Sequence, residues 1–436
     1  MGIETPTFIR EKEFSPENET LIVGAGLAGS VAALELAKRG QKVILVERRS
    51  LDNGHSGNGR SEITLGPVMK TLGTEDAITT PLNTVCFIGL DTGKRFEASL
   101  PLAEVPAANV VVAIDHHLLL ANLHGKIRSN EKVELQDGRR VERLSENASG
   151  VNVVFNDGET LCVSAVVNAA GPSWRSLPFP DGNRQSRYEN SVVAVAYGRR
   201  CRGEILVNSG NNTMLHPVSV ETGKTSWINS CGENGEIEIV FSDYCRRKDV
   251  GKVGGKERYE TLVKRLVGLK LISIQEEGPP ISGFFGLESS TIPTGTDNIY
   301  YFGERGCYNA PSIGDAIAPT VRLGPVLADH IVRRIGSESF HIQTQSQFPT
   351  RLELAATLTR MNASSAGGAL EILKIVKYMD EKERERFLLT HNMPLKYLPR
   401  LLAENPALAF TFANITKNFL GLLIRDLGDN FRYGVR

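Results

Sequence analysis

Apolar and polar positions divide the chain into three stretches of different character. In the first, a short apolar run at 20–23 stops at a glycine-rich turn, and Val31, Leu34, Leu36 and Ala37 then recur at helical spacing up to Arg39-Gly40. A second apolar run, 43–46, ends at Glu47, so the pattern predicts a βαβ unit. The middle stretch reads as strands. Runs 85–88 and 95–97 flank Asp91-Thr92-Gly93, and 151–155 and 160–163 flank Asp157-Gly158, which are two hairpin signals. Further strands are expected at 192–196, 204–207, 214–220, 226–229 and 237–241, followed by a helix at 256–267 that Gly268 ends. Beyond Ile335 the pattern turns helical. Ile372, Ile375, Val376 and Met379 form one stripe, and Leu408, Phe412, Ile415, Phe419 and Leu422 another, punctuated by Pro394, Pro399 and Pro406. Such stripes can dock on the core, pair with a second subunit or lie on a membrane surface.

Composition removes several classes of protein. The 436 residues hold material for about two or three domains, and 41% hydrophobic with 23% charged residues is an ordinary globular balance, which excludes a disordered or collagen-like chain. Fifty basic residues balance fifty acidic ones, so no global field exists to hold nucleic acid. Cys86, Cys162, Cys201, Cys231, Cys245 and Cys307 show no C-x-x-C pair and read as packed thiols rather than a disulfide framework or zinc site. The first twenty residues are polar, and no apolar run reaches the ~18 residues of a spanning helix. A cytoplasmic protein is expected, with peripheral membrane contact through the C-terminal helices as an alternative.

The turn carries the chemistry. In Gly24-Ala25-Gly26-Leu27-Ala28-Gly29, Gly24 permits a tight bend, Gly26 lets backbone approach a pyrophosphate, and Gly29 lets helix and strand pack closely. The pyrophosphate meets free N–H groups at the positive end of the helix. Glu47 stands where a carboxylate can accept from a ribose hydroxyl, about twenty residues past the turn. NAD and FAD both use this unit. An NAD unit would return promptly to helix and strand, whereas Arg48-Arg49 leads into a glycine-laden polar loop ending at Arg60-Ser61. His116-His117 lacks the partners of a metal site, so none is expected, and Gly54-His55-Ser56-Gly57-Asn58 is not a hydrolase elbow because Asn58 replaces the last glycine. His216 reads either as substrate-facing or as a satisfied sheet histidine.

The GAGLAGS turn, Glu47-Arg48-Arg49 and Gly59-Arg60-Ser61 resemble the opening of FAD-dependent aromatic hydroxylases, especially the kynurenine 3-monooxygenase branch. Geranylgeranyl reductases, lycopene cyclases and flavin-dependent halogenases belong to the same superfamily. Two later segments match more loosely. His116 stands where the family places an arginine at a helix start near the flavin, and Asn168-Ala169-Ala170-Gly171 stands where hydroxylases carry Asp-Gly. In the last segment, Gly303-Glu304, Pro311, Gly314, Ala316 and Ile317 follow the family's Gly-Asp and Pro-x-x-Gly-x-Gly-Ile pattern, with Glu304 replacing the acid that holds the ribitol and Ala316 replacing the glycine beside the isoalloxazine. Cys307 and Tyr308 lie on the loop that in the family runs beside the flavin.

The resemblance implies an α/β fold: a Rossmann-type FAD-binding domain (18–80, 108–185 and 295–335), an inserted antiparallel-sheet substrate domain (81–107 and 186–294) and a C-terminal helical extension (336–436). It implies FAD as cofactor, held by Gly24 to Gly29, Glu47, Arg48, Arg60, Ser61, His116, Gly171 and the 303–317 segment, with NAD(P)H as electron donor. The implied reaction is monooxygenation of a small aromatic or apolar substrate through a flavin C4a-hydroperoxide. Two alternatives stay open: an isoprenoid reductase or redox-neutral cyclase, and a flavin-fold binding protein without catalysis.

Overall fold

The computed structural model describes residues 19–51, 61–82, 84–90, 95–96, 111–147, 150–171, 189–207, 212–219, 223, 225–231, 235–287, 297–306, 316–347 and parts of 355–422. In chain order the elements begin with β1 (Glu19–Val23), α1 (Leu27–Lys38), β2 (Lys42–Val46), β3 (Ser61–Leu65), α2 (Gly66–Leu72), β4 (Ile78–Pro81), β5 (Thr84–Gly89) and β6 (Arg95–Phe96). Next come β7 (Val111–Asp115), α3 (His116–Arg128), β8 (Val133–Gln136), β9 (Val141–Asn147), β10 (Gly150–Phe155), β11 (Thr160–Val163) and β12 (Ala165–Asn168). The remainder are β13 (Val192–Ile205), β14 (Thr213–Val218), β15 (Trp227–Ser230), β16 (Glu236–Arg246), α4 (Gly255–Gly268), β17 (Ile272–Gly286), β18 (Ile299–Tyr301), α5 (Ile317–Val332), α6 (Ser337–Gln347) and α7 (Leu398–Glu404).

The predicted βαβ unit forms, and its strands sit in a five-stranded parallel sheet of order β18-β12-β1-β2-β8. Parallel strands need cover on both faces. On one side Ile22, Leu45 and Val167 pack with Leu36 of α1 and Leu323 and Leu327 of α5. On the other, Leu21, Val23, Ile44 and Val46 meet Val151, Val153 and Phe155 of the three-stranded β11-β10-β9 sheet, where the expected hairpin at Asp157-Gly158 lies. Helices α1 and α5 approach closely because Gly324 has no side chain: a Cβ there would stand 2.7 Å from Val31 Cγ1. Arg39 fastens the pair, with its Nε 2.6 Å from Asp329 Oδ1 and its Nη2 donating to Pro325 O at 3.1 Å.

A seven-stranded sheet, β17-β13-β16-β15-β14-β5-β6, forms the second layer. Two expectations are corrected here. The runs 192–196 and 204–207 are one 14-residue strand, β13, whose apolar pattern is broken by Gly198 and Gly203. Both glycines lie where a neighbouring backbone comes close, since a Cβ on Gly198 would be 2.4 Å from Ile239 O and one on Gly203 2.2 Å from Ser273 O. The 15-residue β17 was not expected at all. It carries Pro279 and Pro280, which a sheet tolerates on an edge strand, and β17 is the edge. The β5–β6 hairpin joins this sheet, with β5 parallel to β14.

The outer face of this sheet buries Ile237, Ile239 and Phe241 against Tyr259, Leu262 and Leu266 of α4, tied by Arg258 Nη2 to Asp243 Oδ2 at 2.7 Å. The opposite face meets α1 and α5 of the parallel-sheet layer: Met214 and Trp227 pack with Leu27, Val31, Ile317 and Val321. A small antiparallel sheet, β3-β7-β4, completes that junction. At the C-terminus, Ile415 and Leu422 of the second predicted stripe are buried with Ala355, Leu358, Phe412 and Phe419. Leu358 also packs against Val192, Ala194, Tyr244 and Leu287, so this stripe is covered within the chain beside the large sheet rather than beside α1. Of the first stripe, 372–376 lie outside the described residues, and Met379 packs on Leu401. Among the described residues no helix is long and apolar enough to cross a membrane.

Candidate functional site

The glycine turn has three different geometries at its three glycines. Gly24 has φ +99° and sits so close to β12 that a Cβ would lie 2.6 Å from Ala169 O. Gly29 allows no side chain either, because its Cβ would fall 1.8 Å from Gly24 O. Gly26 is the exception: a Cβ there would have nothing within 4 Å. It is the N-cap of α1, its backbone is extended (φ −69°, ψ −173°), and no side chain caps the helix or puts an acid in its first turn. The free N–H groups and positive dipole end of α1 therefore face a space that a phosphate can enter.

Neighbouring segments close around this turn. Glu47, at the end of β2, is buried and accepts from Ala25 N through Oε2 at 3.0 Å and from Arg49 N through Oε1 at 3.1 Å. Each carboxylate oxygen keeps a second lone pair for a ribose hydroxyl. Arg48 is exposed next to it. Gly303, in left-handed conformation (φ +63°), presses on α1, since a Cβ there would meet Ala28 Cβ at 2.4 Å. Glu304 follows it in the same turn, half-buried. Ala316 is the N-cap of α5, and Ile317, its first residue, packs with Leu27. Gly171, with φ +76°, ends the segment after β12 that abuts Gly24. Arg60, Pro311, Gly314, Cys307 and Tyr308 lie outside the described residues.

Ser61 and His116 come together elsewhere, at the junction with the large sheet, because β3 and β7 pair Ser61 with Asp115. Ser61 N donates to Glu238 Oε2 at 2.7 Å, and its Oγ accepts from Asn229 Nδ2 at 2.9 Å. Asn229, Glu238 and Arg200 stand side by side on β15, β16 and β13, and Arg200 Nη2 reaches to 4.0 Å from Asp115 Oδ2. His116 Nδ1 lies 3.0 Å from Glu62 Oε2 at the start of α3, where Asp115 caps the helix by accepting from His117 N and Leu118 N. This polar seam ties the two layers together. His216 shares the face of β14 that Met214 turns toward α1 and α5.

One contributor escaped sequence reasoning. His124, buried on α3, donates through Nε2 to Ala25 O at 2.7 Å and so fixes the turn from outside the glycine motif. Its place among Leu120, Leu123 and Ile127 on the buried helix face was the only signal. Burial holds its pKa below the ordinary 6.5. The neutral form is therefore favoured by folding, and this stabilisation is complete above about pH 6.5 and lost as pH falls through the lowered folded value. A thermal melt followed against pH should show midpoints falling on acidification below pH 6.5 more steeply in the parent than in His124→Gln. Equal slopes would refute the assignment. The thiols are quiet: burial pushes Cys231 up to about 12 and Cys245 up to about 11, which keeps them protonated.

Comparison with known proteins agrees with this geometry. Residues 19–68 match the family model described as FAD dependent oxidoreductase. No curated protein matches the sequence. Among solved structures, a geranylgeranyl bacteriochlorophyll reductase-like protein from Thermoplasma acidophilum superposes with TM-score 0.63 at 13% identity, over 90% of this chain and 99% of that one. The halogenase PltM gives 0.58 at 13%, over 90% and 86%. PqsL, a probable FAD-dependent monooxygenase from Pseudomonas aeruginosa, gives 0.55 at 14%, over 81% and 99%. Residues 19–68 thus resemble an FAD-dependent oxidoreductase segment, and the chain as a whole shares the α/β fold of these neighbours, as expected from the sequence.

Proposed function

We propose that the chain binds FAD and oxidises an apolar or small aromatic substrate as a monooxygenase, with NAD(P)H as donor. The open cradle at Gly26, between two glycines packed too tightly for any side chain, carries the cofactor assignment. Bound there, FAD supplies two-electron redox chemistry. The residues of this chain hold it: α1 N–H groups at the pyrophosphate, Glu47 at a ribose, and the 303–304 turn and the start of α5 toward the flavin end.

Support for an apolar substrate comes from the large sheet. On one face of β13, Ala196 and Gly198 lie opposite Ser242 and Val240, between Ala194 and Arg200, and Trp227 of β15 stands beside Val240. Met214 turns that same face toward Ile317. The stretch has small apolar groups and a fully buried Ser242 hydroxyl that bonds to nothing among the described residues. A flat or extended molecule with one hydrogen-bonding oxygen suits it. The same lining also favours a second reading, reduction or cyclisation of an isoprenoid chain.

The test begins with the visible spectrum of the purified protein, repeated anaerobically after NADPH or NADH. A flavin band that bleaches, and oxygen uptake that an aromatic substrate stimulates, is the expected result. Bleaching followed by saturation of an isoprenoid double bond would replace the reading by the second. Absence of flavin even after FAD is supplied would overturn both and leave a binding protein.

A further inference from the structure

The cation of the polar seam is balanced in charge and short of hydrogen bonds. Arg200 Nε and Nη2 are both buried, and neither forms a hydrogen bond among the described residues. Asp115 Oδ2, at 4.0 Å from Nη2, is too far for one. Nearby carboxylates are committed elsewhere. Asp115 Oδ1 accepts from His117 N and Leu118 N, Glu238 Oε2 accepts from Ser61 N, and Glu62 Oε2 lies 3.0 Å from His116 Nδ1. Buried donors are normally paired, and a guanidinium presents its N–H groups as a planar fork. The fork needs lone pairs rather than further negative charge, since Asp115 and Glu238 already stand beside it.

From Arg200 the same face of β13 continues as small apolar residues. Gly198 and Ala196 follow it, and the run from Arg200 to Ala196 is about 13 Å at ~3.3 Å per residue. Ile281 of β17 and Trp227 of β15 flank this run, with Gly198 and Val240 between them. Three strand spacings, about 14 Å, separate those two larger side chains. Next along, Ala196 stands opposite Gly283, where a Cβ would meet nothing within 4 Å. Large side walls, a glycine and alanine floor and a fork of donors at one end suit a flat apolar body that carries one oxygen acceptor. A carboxylate at that end would be a third anion beside Asp115 and Glu238, and like-charge repulsion disfavours it.

We infer that Arg200 selects substrates by an uncharged carbonyl oxygen, with the apolar body lying over Gly198 and Ala196. This selection rests on the reading of this sheet face as the substrate side of a flavin enzyme. Equilibrium dialysis of the protein, with FAD supplied, against 2-acetylnaphthalene, 2-naphthoate and 2-ethylnaphthalene compares a carbonyl, a carboxylate and no acceptor on one ring system. The ketone should bind about ten-fold or more tighter than either of the others. Arg200→Met should bring the ketone down to the level of the ethyl compound, whose own binding stays within about two-fold. Arg200→Lys keeps the charge without the fork and should restore only part of the preference. Melting temperatures show whether these variants fold, and the order of the three probes on the parent protein decides without them. Tighter binding of the carboxylate, equal binding of all three, or no binding of any overturns the inference, as does a ketone preference that survives in folded Arg200→Met. Failure of NAD(P)H to bleach the flavin would overturn the proposed reaction and leave the probe order untouched, so the two failures are distinct.

Discussion

Gly26→Val should fold and yet purify almost without flavin. The added side chain enters the one open position of the turn, where nothing lies within 4 Å, and the extended backbone of Gly26 accepts it. Replacing an N-cap glycine by an apolar residue costs about 1 kcal/mol, a few degrees of melting temperature at most. The loss is in the cradle, because a branched side chain occupies the space needed for a pyrophosphate. FAD affinity should fall by at least about 100-fold, equivalent to about 2.7 kcal/mol. Gly29→Ala makes the opposite pattern. Its Cβ would stand 1.8 Å from Gly24 O, a backbone atom of the same tight turn, so helix and strand must separate. A destabilisation of about 3 kcal/mol or more is expected, with flavin lost because the fold is lost. Flavin-to-protein absorbance and a thermal melt on the same samples separate the two. A Gly26→Val protein with a full complement of flavin would sink the site assignment.

Glu238→Ala should lower the unfolding midpoint more than any other single change in the polar seam. Glu238 is 1% exposed, accepts from Ser61 N at 2.7 Å, and stands beside Arg200. Removing it leaves the Ser61 N–H buried without its acceptor and takes away the carboxylate in register with half-buried Arg200, a loss on the order of 1–3 kcal/mol. Glu238→Gln keeps an oxygen for Ser61 N and should cost less. The double variant Glu238→Ala with Arg200→Ala should be more stable than the sum of the single changes, because the stranded charge is gone. Chemical denaturation curves of the four proteins decide this. Additive losses would mean that Glu238 and Arg200 do not act as a pair.

The βαβ unit was legible because its signals are local: a glycine turn, a helical period and two apolar runs within thirty residues. The antiparallel pairs β5–β6 and β10–β11 were legible for the same reason. What failed to show was set by distant partners. Pro279 and Pro280 argue against a strand until β17 is known to be an edge. The five-residue β7 is buried almost throughout and so has no alternation to read. His124 looked like one more position on an amphipathic helix, and its value lies in Ala25, 99 residues away. Glu238, similarly, sat in a strand pattern as a polar interruption, and only the register with Asn229 and Arg200 explains why a buried face carries it.

The pairing of β5 with β14 has a consequence for how the chain is made. The large sheet takes its last two strands from residues 84–96, yet their neighbour arrives only at Thr213. The parallel sheet likewise waits for β18, at Ile299, before its edge is complete. On a ribosome the early strands emerge long before anything exists to pair with them, and closing such long loops slows folding. Neither layer can mature before the other is largely synthesised, so a fragment cut at any single point between them should remain an aggregation-prone intermediate rather than a working half.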